Sequence, residues 1–351
     1  MELVNSTPLT ARIDVAHTEE LGYRVGMIVA KATFRFDMDG SVTLDADDPY
    51  PIFLHDVESE LGLLPRDDFP RIDDAFEVIL LGVAYAPEGK PVRSMKVGLQ
   101  VGDERRELIV FGDREWMDVQ GNKAISEPEY FEKMPLTYEN AFGGTCDIFV
   151  DKDSPVEVSD PFNKYGKGMD PAPIAKELGK TFKCPDGYPF YDTRRELPNL
   201  EDPENLITDW SHKPMPKCWA TVPLDSGIHG IRSVVIPEEA GTSDLTLTLQ
   251  EGVFHRAHPD WVISVPPEKA EVVLDGLTPR GIISFNLPAL RVFADYVIGS
   301  RTGTRELAPQ MLVLLPEEER FYLVYRHVFP FDPIPGEERS MRLRIENGWY
   351  K

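Results

Sequence analysis

Four groups of residues in this 351-residue chain carry side chains suited to chemistry. His255 and His258 form an H-x-x-H with Asp260 two residues on, and two imidazoles with a carboxylate are a zinc-type donor set. No helical pattern sets their facing and no further ligand accompanies them, so a pair of solvated loop histidines is the competing reading. Cys146 follows Gly143-Gly144, and a Gly-Gly turn can expose backbone N–H groups as an oxyanion hole; without a histidine beside it in sequence, a structural thiol is expected. Gly166-Lys167-Gly168 could cradle an anion, or be a bend that lets backbones approach closely, the reading its acidic surroundings favour. Glu139 and Glu201 could serve as acid and base if the fold sets them face to face; otherwise they accept hydrogen bonds from irregular backbone. Other signatures are missing. There is no G-x-S-x-G elbow, and the Gly82 to Lys90 stretch has six residues between its glycines and Pro91 after its lysine, unlike a phosphate loop. No cofactor or metal is therefore assigned, and the chain is read as a non-enzyme.

Composition narrows the partners. Asp plus Glu number 60 against 37 Lys plus Arg, a formal net charge of −23. Such a surface repels phosphate, which disfavours nucleic acid and anionic membranes. The charge serves solubility, or it matches a basic partner. Three well-separated cysteines, Cys146, Cys184 and Cys218, form no C-x-x-C pair and suit reduced thiols in a cytosolic protein. The N-terminal MELVNSTPLTARIDVA lacks the pattern of a secretory signal, and no stretch approaches eighteen apolar residues. A cytoplasmic location without membrane insertion is the expectation.

The elements that must position these residues read as mainly β. Residues 23–36 (YRVGMIVAKATFRF) are rich in β-branched and aromatic types and lead into Asp39-Gly40, a tight-turn pair that predicts a hairpin with SVTL. Residues 45–74 are acidic and broken by prolines, which predicts a surface excursion with at most a helical turn near Val57. Further strands are predicted at 76–84, 93–101, 106–111, 230–236, 245–250, 261–265, 270–274, 281–286, 311–315 and 321–329. The spacing of turn signals favours antiparallel sandwich-like sheets. Short helices are predicted at 126–133, where Ser126 and Glu129 form a capping box, and at 173–181, closed by Gly179. The stretch 145–216 shows no convincing strand, yet its many aromatics argue that it is ordered. Three regions result: 1–121 and 217–351, both β-rich, around an irregular insertion at 122–216. The opening strand at 23–36 and the closing one at 321–329 share a texture, and could lie in one sheet and interlock the two ends.

Three irregular segments stand out: MPLTYENAFGG at 134–144, NKYGKGM at 163–169 and LPNLEDPENLI at 197–207. They resemble the signature of the domain-of-unknown-function 2169 family, roughly MPLTYERAFGG, NPxGRGF and LPNLExP. Asn140 replaces the usual Arg, Lys164-Tyr165 stand where Pro is expected, and Met169 replaces Phe. The resemblance extends through NSTPLTA, VAKATFRF, GVAYAPEGKP, FGDREW, GLTPRGIISFNLP and FYLVYRHVF. Members occur in bacteria beside type VI secretion genes, and those with an assigned role are adaptors or chaperones that hold a toxic effector for loading onto the secreted spike. The resemblance thus implies a secreted effector as partner, with the spike protein or its tip as a second. It directs attention to Tyr138, Glu139, Phe142, Gly143, Gly144, Asn163, Tyr165, Gly166, Gly168, Asn199 and Glu201 as a partner-binding or supporting loop cluster. The alternatives are a hydrolase working through loop carboxylates and a structural accessory of the secretion apparatus.

Overall fold

Asp39-Gly40 makes the turn its chemistry demands. In the computed structural model, which describes residues 1–17, 24–53, 56–64, 75–192, 196–229, 255–266, 268–331 and 339–346, Gly40 takes φ 81° and its N–H donates to Asp37 O at 3.0 Å. This closes the hairpin of strands Arg24–Phe36 and Val42–Leu44, with Phe36 opposite Val42. Residues 26–34 are buried without a break, as befits a near-continuous apolar run covered on both faces. Lys31 sits within that run: its ammonium donates to Pro51 O at 2.8 Å and lies 4.3 Å from the ring centres of Phe53 and Tyr322, so the charge keeps partners in an apolar setting.

The strand Arg320–Phe331 pairs antiparallel with Arg24–Phe36 from Phe331 opposite Arg24 to Arg320 opposite Arg35. The expected sharing of a sheet by the opening and closing strands is therefore observed. Around this pair the large sheet runs in the order Glu2–Asn5, Arg339–Glu346, Arg291–Ile298, Arg301–Leu315, Arg320–Phe331, Arg24–Phe36, Thr10–His17. Phe76–Leu80 adds on parallel to Arg301–Leu315, with Met311 opposite Glu77. A second, five-stranded sheet has the order Leu200–Glu201, Glu104–Phe111, Ser94–Val101, Glu271–Asp275, Ile283–Asn286. Phe285 of this sheet stacks on Phe36 (4.7 Å) and Phe321 (5.2 Å) of the first, and Trp219 meets Trp261 edge to face at 6.2 Å. Both tryptophans are fully buried. Mainly antiparallel, sandwich-like β structure with loop-rich segments is thus what the chain adopts.

Several local expectations give way. No helix forms at 126–133. The Ser126 hydroxyl accepts from Glu115 N–H (3.0 Å) instead of capping a helix, and the N–H groups of Ser126, Glu129 and Phe131 donate to Glu115, Asp113 and Val92. Extended partners on both sides satisfy the backbone that a helix would have satisfied internally. The turn near Val57 is a hairpin of Val57–Ser59 with Gly62–Leu64. The predicted helix runs Ala172–Phe182, past Gly179, and ends with Lys183 in the left-handed region at φ 49°. Gly179 serves packing there, since a Cβ on it would lie 3.0 Å from Pro189. The stretch 145–216 holds strands after all, Thr145–Phe149, Pro155–Ser159 and Phe190–Tyr191, in a three-stranded sheet. The strand expected at 311–315 begins at Arg301, and that at 76–84 breaks at Leu81-Gly82 into Phe76–Leu80 and Val83–Tyr85. The strands expected at 230–236 and 245–250 lie outside the described residues. Among the described residues no helix is long and apolar enough to cross a membrane.

Candidate functional site

The three signature segments converge, and glycine is what lets them. Phe142–Gly143 pairs parallel with Lys167–Gly168. Gly143 adopts φ 143°, and a Cβ there would fall 2.0 Å from Asn163 O; one on Gly166 would fall 2.4 Å from Ala141 O. Neither position admits another residue without moving backbone. Gly144 (φ 128°) donates to Asn163 O at 2.8 Å. Asn163 is fully buried and acts as a clasp: its Nδ2 donates to Tyr138 O (2.7 Å) and Phe142 O (2.9 Å), and its Oδ1 accepts from Tyr165 N–H (3.2 Å). Asn199, also fully buried, does the same for the third segment. Its backbone N–H donates to Asn140 O (2.8 Å), and its Nδ2 donates to Phe111 O and Asp113 Oδ1, both at 3.0 Å.

Glu201 ends this network. One carboxylate oxygen pairs with the Arg114 guanidinium and the other accepts from Ile207 N–H at 2.7 Å, with both charged side chains buried. Arg114 also donates to Pro198 O (2.8 Å) and lies over the Phe111 ring at 3.7 Å. Phe142, Leu197, Ile207 and Trp116 form a small apolar core beneath, with Trp210 against Trp116 at 5.5 Å. Gly168 completes the packing, 3.3 Å from Phe142 and 3.2 Å from Pro198 measured from the Cβ it lacks. Phe142, Gly143, Gly144, Asn163, Gly166, Gly168, Asn199 and Glu201 therefore face inward and fix the shape of the cluster.

Tyr138, Glu139 and Tyr165 line an open groove instead. Its cavity of about 490 Å³ is walled on one side by Pro135, Thr137 and Asn140, on the other by the tip of the 57–64 hairpin with Glu58, Ser59 and Glu60, and floored by Ala220, Thr221 and Pro223. Glu58, Glu60 and Glu139 are exposed along its rim. Tyr165 is 46% exposed, and its hydroxyl meets Asp225 at 3.4 Å, a carboxylate that also pairs with Lys164. Tyr138 is buried beneath the groove, and burial raises its phenol well above the ordinary tyrosine range, so it stays neutral. Thr137 is buried too, and its hydroxyl does not cap the short turn that follows it. The arrangement offers carboxylates and an aromatic face along one trough, which can hold a chain segment bearing Lys or Arg.

One residue that sequence reasoning passed over fixes the far wall. Arg256, between the two histidines of the H-x-x-H, is buried and pairs bidentately with Asp56 (3.0 and 2.8 Å), while its Nε donates to Val222 O (3.1 Å). A single guanidinium thus ties the root of the rim hairpin to the groove floor. Its backbone N–H and that of Ala257 in turn donate to the buried Glu77 carboxylate at 2.9 and 3.1 Å. A charged residue flanked by candidate ligands draws attention to the ligands; only the fold shows that it is the one doing structural work.

The other candidates take structural places. His258 caps a short 3-10 turn: its Nδ1 accepts from Asp260 N–H (3.2 Å) and its Nε2 reaches Pro216 O (3.1 Å). Burial lowers its pKa to about 4. Asp260 pairs with Lys217, which also meets Asp202 at 3.2 Å. His255 packs edge to face on His229 at 5.6 Å, and among the described residues no group of three or more His, Cys, Asp or Glu is placed to hold a metal. Cys146 is buried, and the Gly144 N–H that might have faced it is spent on Asn163. Lys167 N–H donates to Ala141 O (3.1 Å), so the Gly-Lys-Gly bend brings two backbones together. Glu139 and Glu201 occupy unlike settings, one exposed at the groove and one locked to Arg114.

Residues 22–326 match the family model described as "Uncharacterized protein conserved in bacteria (DUF2169)". The chain belongs to that family. No curated protein and no solved structure matches it. The DUF2169 match spans all three signature segments and the whole five-stranded sheet, so the clasp residues and the groove lie within the family domain.

Proposed function

We propose that this DUF2169 protein is a cytoplasmic adaptor of type VI secretion that holds an effector through a basic, extended segment and helps load it onto the spike. The resemblance of the signature segments supplies the biological setting. The observation that carries the reading is the groove: a trough of about 490 Å³ whose rim bears Glu58, Glu60 and Glu139 beside the exposed Tyr165. Its walls are held by Asn163 on one side and Arg256 on the other, so little ordering is needed when a partner binds, which favours affinity. The net charge of −23 steers a basic cargo toward the protein.

Coexpression with the product of each neighbouring gene, followed by size-exclusion chromatography with light scattering, tests the proposal. A stable complex with one neighbour and not the others is expected. Elution of the folded chain alone in every case would overturn it.

A further inference from the structure

The large sheet opens beside Pro309, and the reason is in the sequence. Strand Arg301–Leu315 pairs with Arg320–Phe331 only from Ala308 onward, and the register shifts between Pro309 and Met311. Proline lacks the N–H a continuous ladder needs, and such a bulge bends its strand away. On the near side of the bulge, residues 301–307 pair with Arg291–Ile298 alone, while residues 327–331 continue with Arg24–Phe36. A cavity of about 200 Å³ lies where the two halves diverge.

Its lining is unlike the rest of this acidic protein. Ile28, Ile298, Phe329 and Met341 give it an apolar floor, and Arg301, Arg305 and His327 are its charged or ionisable members. Arg301 stands opposite Ile298 and Arg305 opposite Ala294, so both guanidiniums project from the sheet face that bears the cavity. The nearby carboxylates Asp295 and Glu306 alternate onto the other face, where they pair with Arg344 and Arg291. Among the described residues Arg305 donates only to Thr304 O, and it lies 5.8 Å from the Tyr296 ring. Among the described residues, neither guanidinium of the cavity meets a carboxylate, in a chain with 60 acidic and 37 basic residues.

We propose that this cleft is a binding site for a small apolar carboxylate, its anion held by Arg301 and Arg305 and its hydrocarbon body on Ile28, Ile298, Phe329 and Met341. An apolar cavity of about 150 Å³ accepts a benzene ring, so about 200 Å³ accommodates a phenyl group. Arginine suits the anion because its fork donates two parallel hydrogen bonds to a carboxylate. The site is separate from the groove of the signature loops and shares none of its residues.

Titration of the full chain with 3-phenylpropionate, followed by calorimetry and by ligand-observed NMR, tests the site. Saturable binding with a Kd of about 1 mM or tighter is expected, at least tenfold stronger than for 3-phenylpropanol, which has the same body without the charge. The exposed pair Arg301→Ala/Arg305→Ala should keep the fold, checked by circular dichroism, and lose at least tenfold in affinity. A second variant, Met341→Trp, fills the floor and should abolish binding of acid and alcohol alike. Absence of saturable binding, equal affinity for the alcohol, or unchanged affinity in the double arginine variant would overturn the assignment.

Discussion

Replacing Asn163 tests how the signature loops are held. Its Nδ2 serves two carbonyls from a fully buried position, those of Tyr138 and Phe142. Each net hydrogen bond is worth about 1 kcal/mol, and each carbonyl left unsatisfied costs about 1–3 kcal/mol. Asn163→Ala should therefore lower stability by about 2–5 kcal/mol. Asn163→Asp keeps the shape but sets an anionic acceptor against both carbonyls, and should cost at least as much. Urea unfolding followed by the fluorescence of the buried Trp219 and Trp261 reads both variants, with Lys164→Ala next door as a control. Lys164 makes an exposed ion pair with Asp225, and losing it should leave the unfolding midpoint nearly unchanged. If Asn163→Asp unfolds within about 0.5 kcal/mol of the parent, the clasp does not hold the loops and the reasoning fails.

Arg114→Ala leaves the Glu201 carboxylate buried beside an empty space and should destabilise by about 3–5 kcal/mol in the same assay. Gly143→Ala forces a Cβ into Asn163 O, and a loss of about 3 kcal/mol or failure to accumulate as folded protein is expected. His258 is depressed to about 4 from an ordinary 6.5, so its contribution is fully present above about pH 6.5 and is lost as pH falls through about 4. The total is about 3 kcal/mol, and His258→Gln should flatten that part of a stability-versus-pH profile. Burial pushes the Cys218 thiol up to about 12 and Cys146 is buried, so a thiol reagent at pH 8 should modify Cys184 first, by about tenfold or more, as read by mass spectrometry of the native protein.

The strand pattern was legible wherever a long apolar run met a defined turn. YRVGMIVAKATFRF with Asp39-Gly40, and FYLVYRHVF ahead of Pro330, gave the central strands and even their common sheet. The 126–133 segment misled because a capping box is a local signal, and Ser126 found a better partner across the chain at Glu115. TCDIF alternates in burial between Cys146 and Ile148 inward and Asp147 outward, but a single five-residue alternation among prolines and aspartates is too short to separate from loop. Asn163, Asn199 and Glu201 were singled out from sequence, while their inward orientation depends on contacts 21 to 88 residues away that no local pattern encodes. Arg256 was missed for the same reason, since its partner Asp56 lies 200 residues earlier.

The central claim is that the groove's carboxylates grip a basic segment of the cargo. The most direct test measures the affinity of the isolated complex for Glu58→Lys/Glu60→Lys/Glu139→Lys against the parent chain, at low and high salt. All three side chains are exposed, so the fold should survive the exchange. A loss of at least tenfold at low salt, shrinking as salt screens the charges, is the predicted result. An unchanged affinity in the triple variant would contradict the account and move the cargo site elsewhere on the protein.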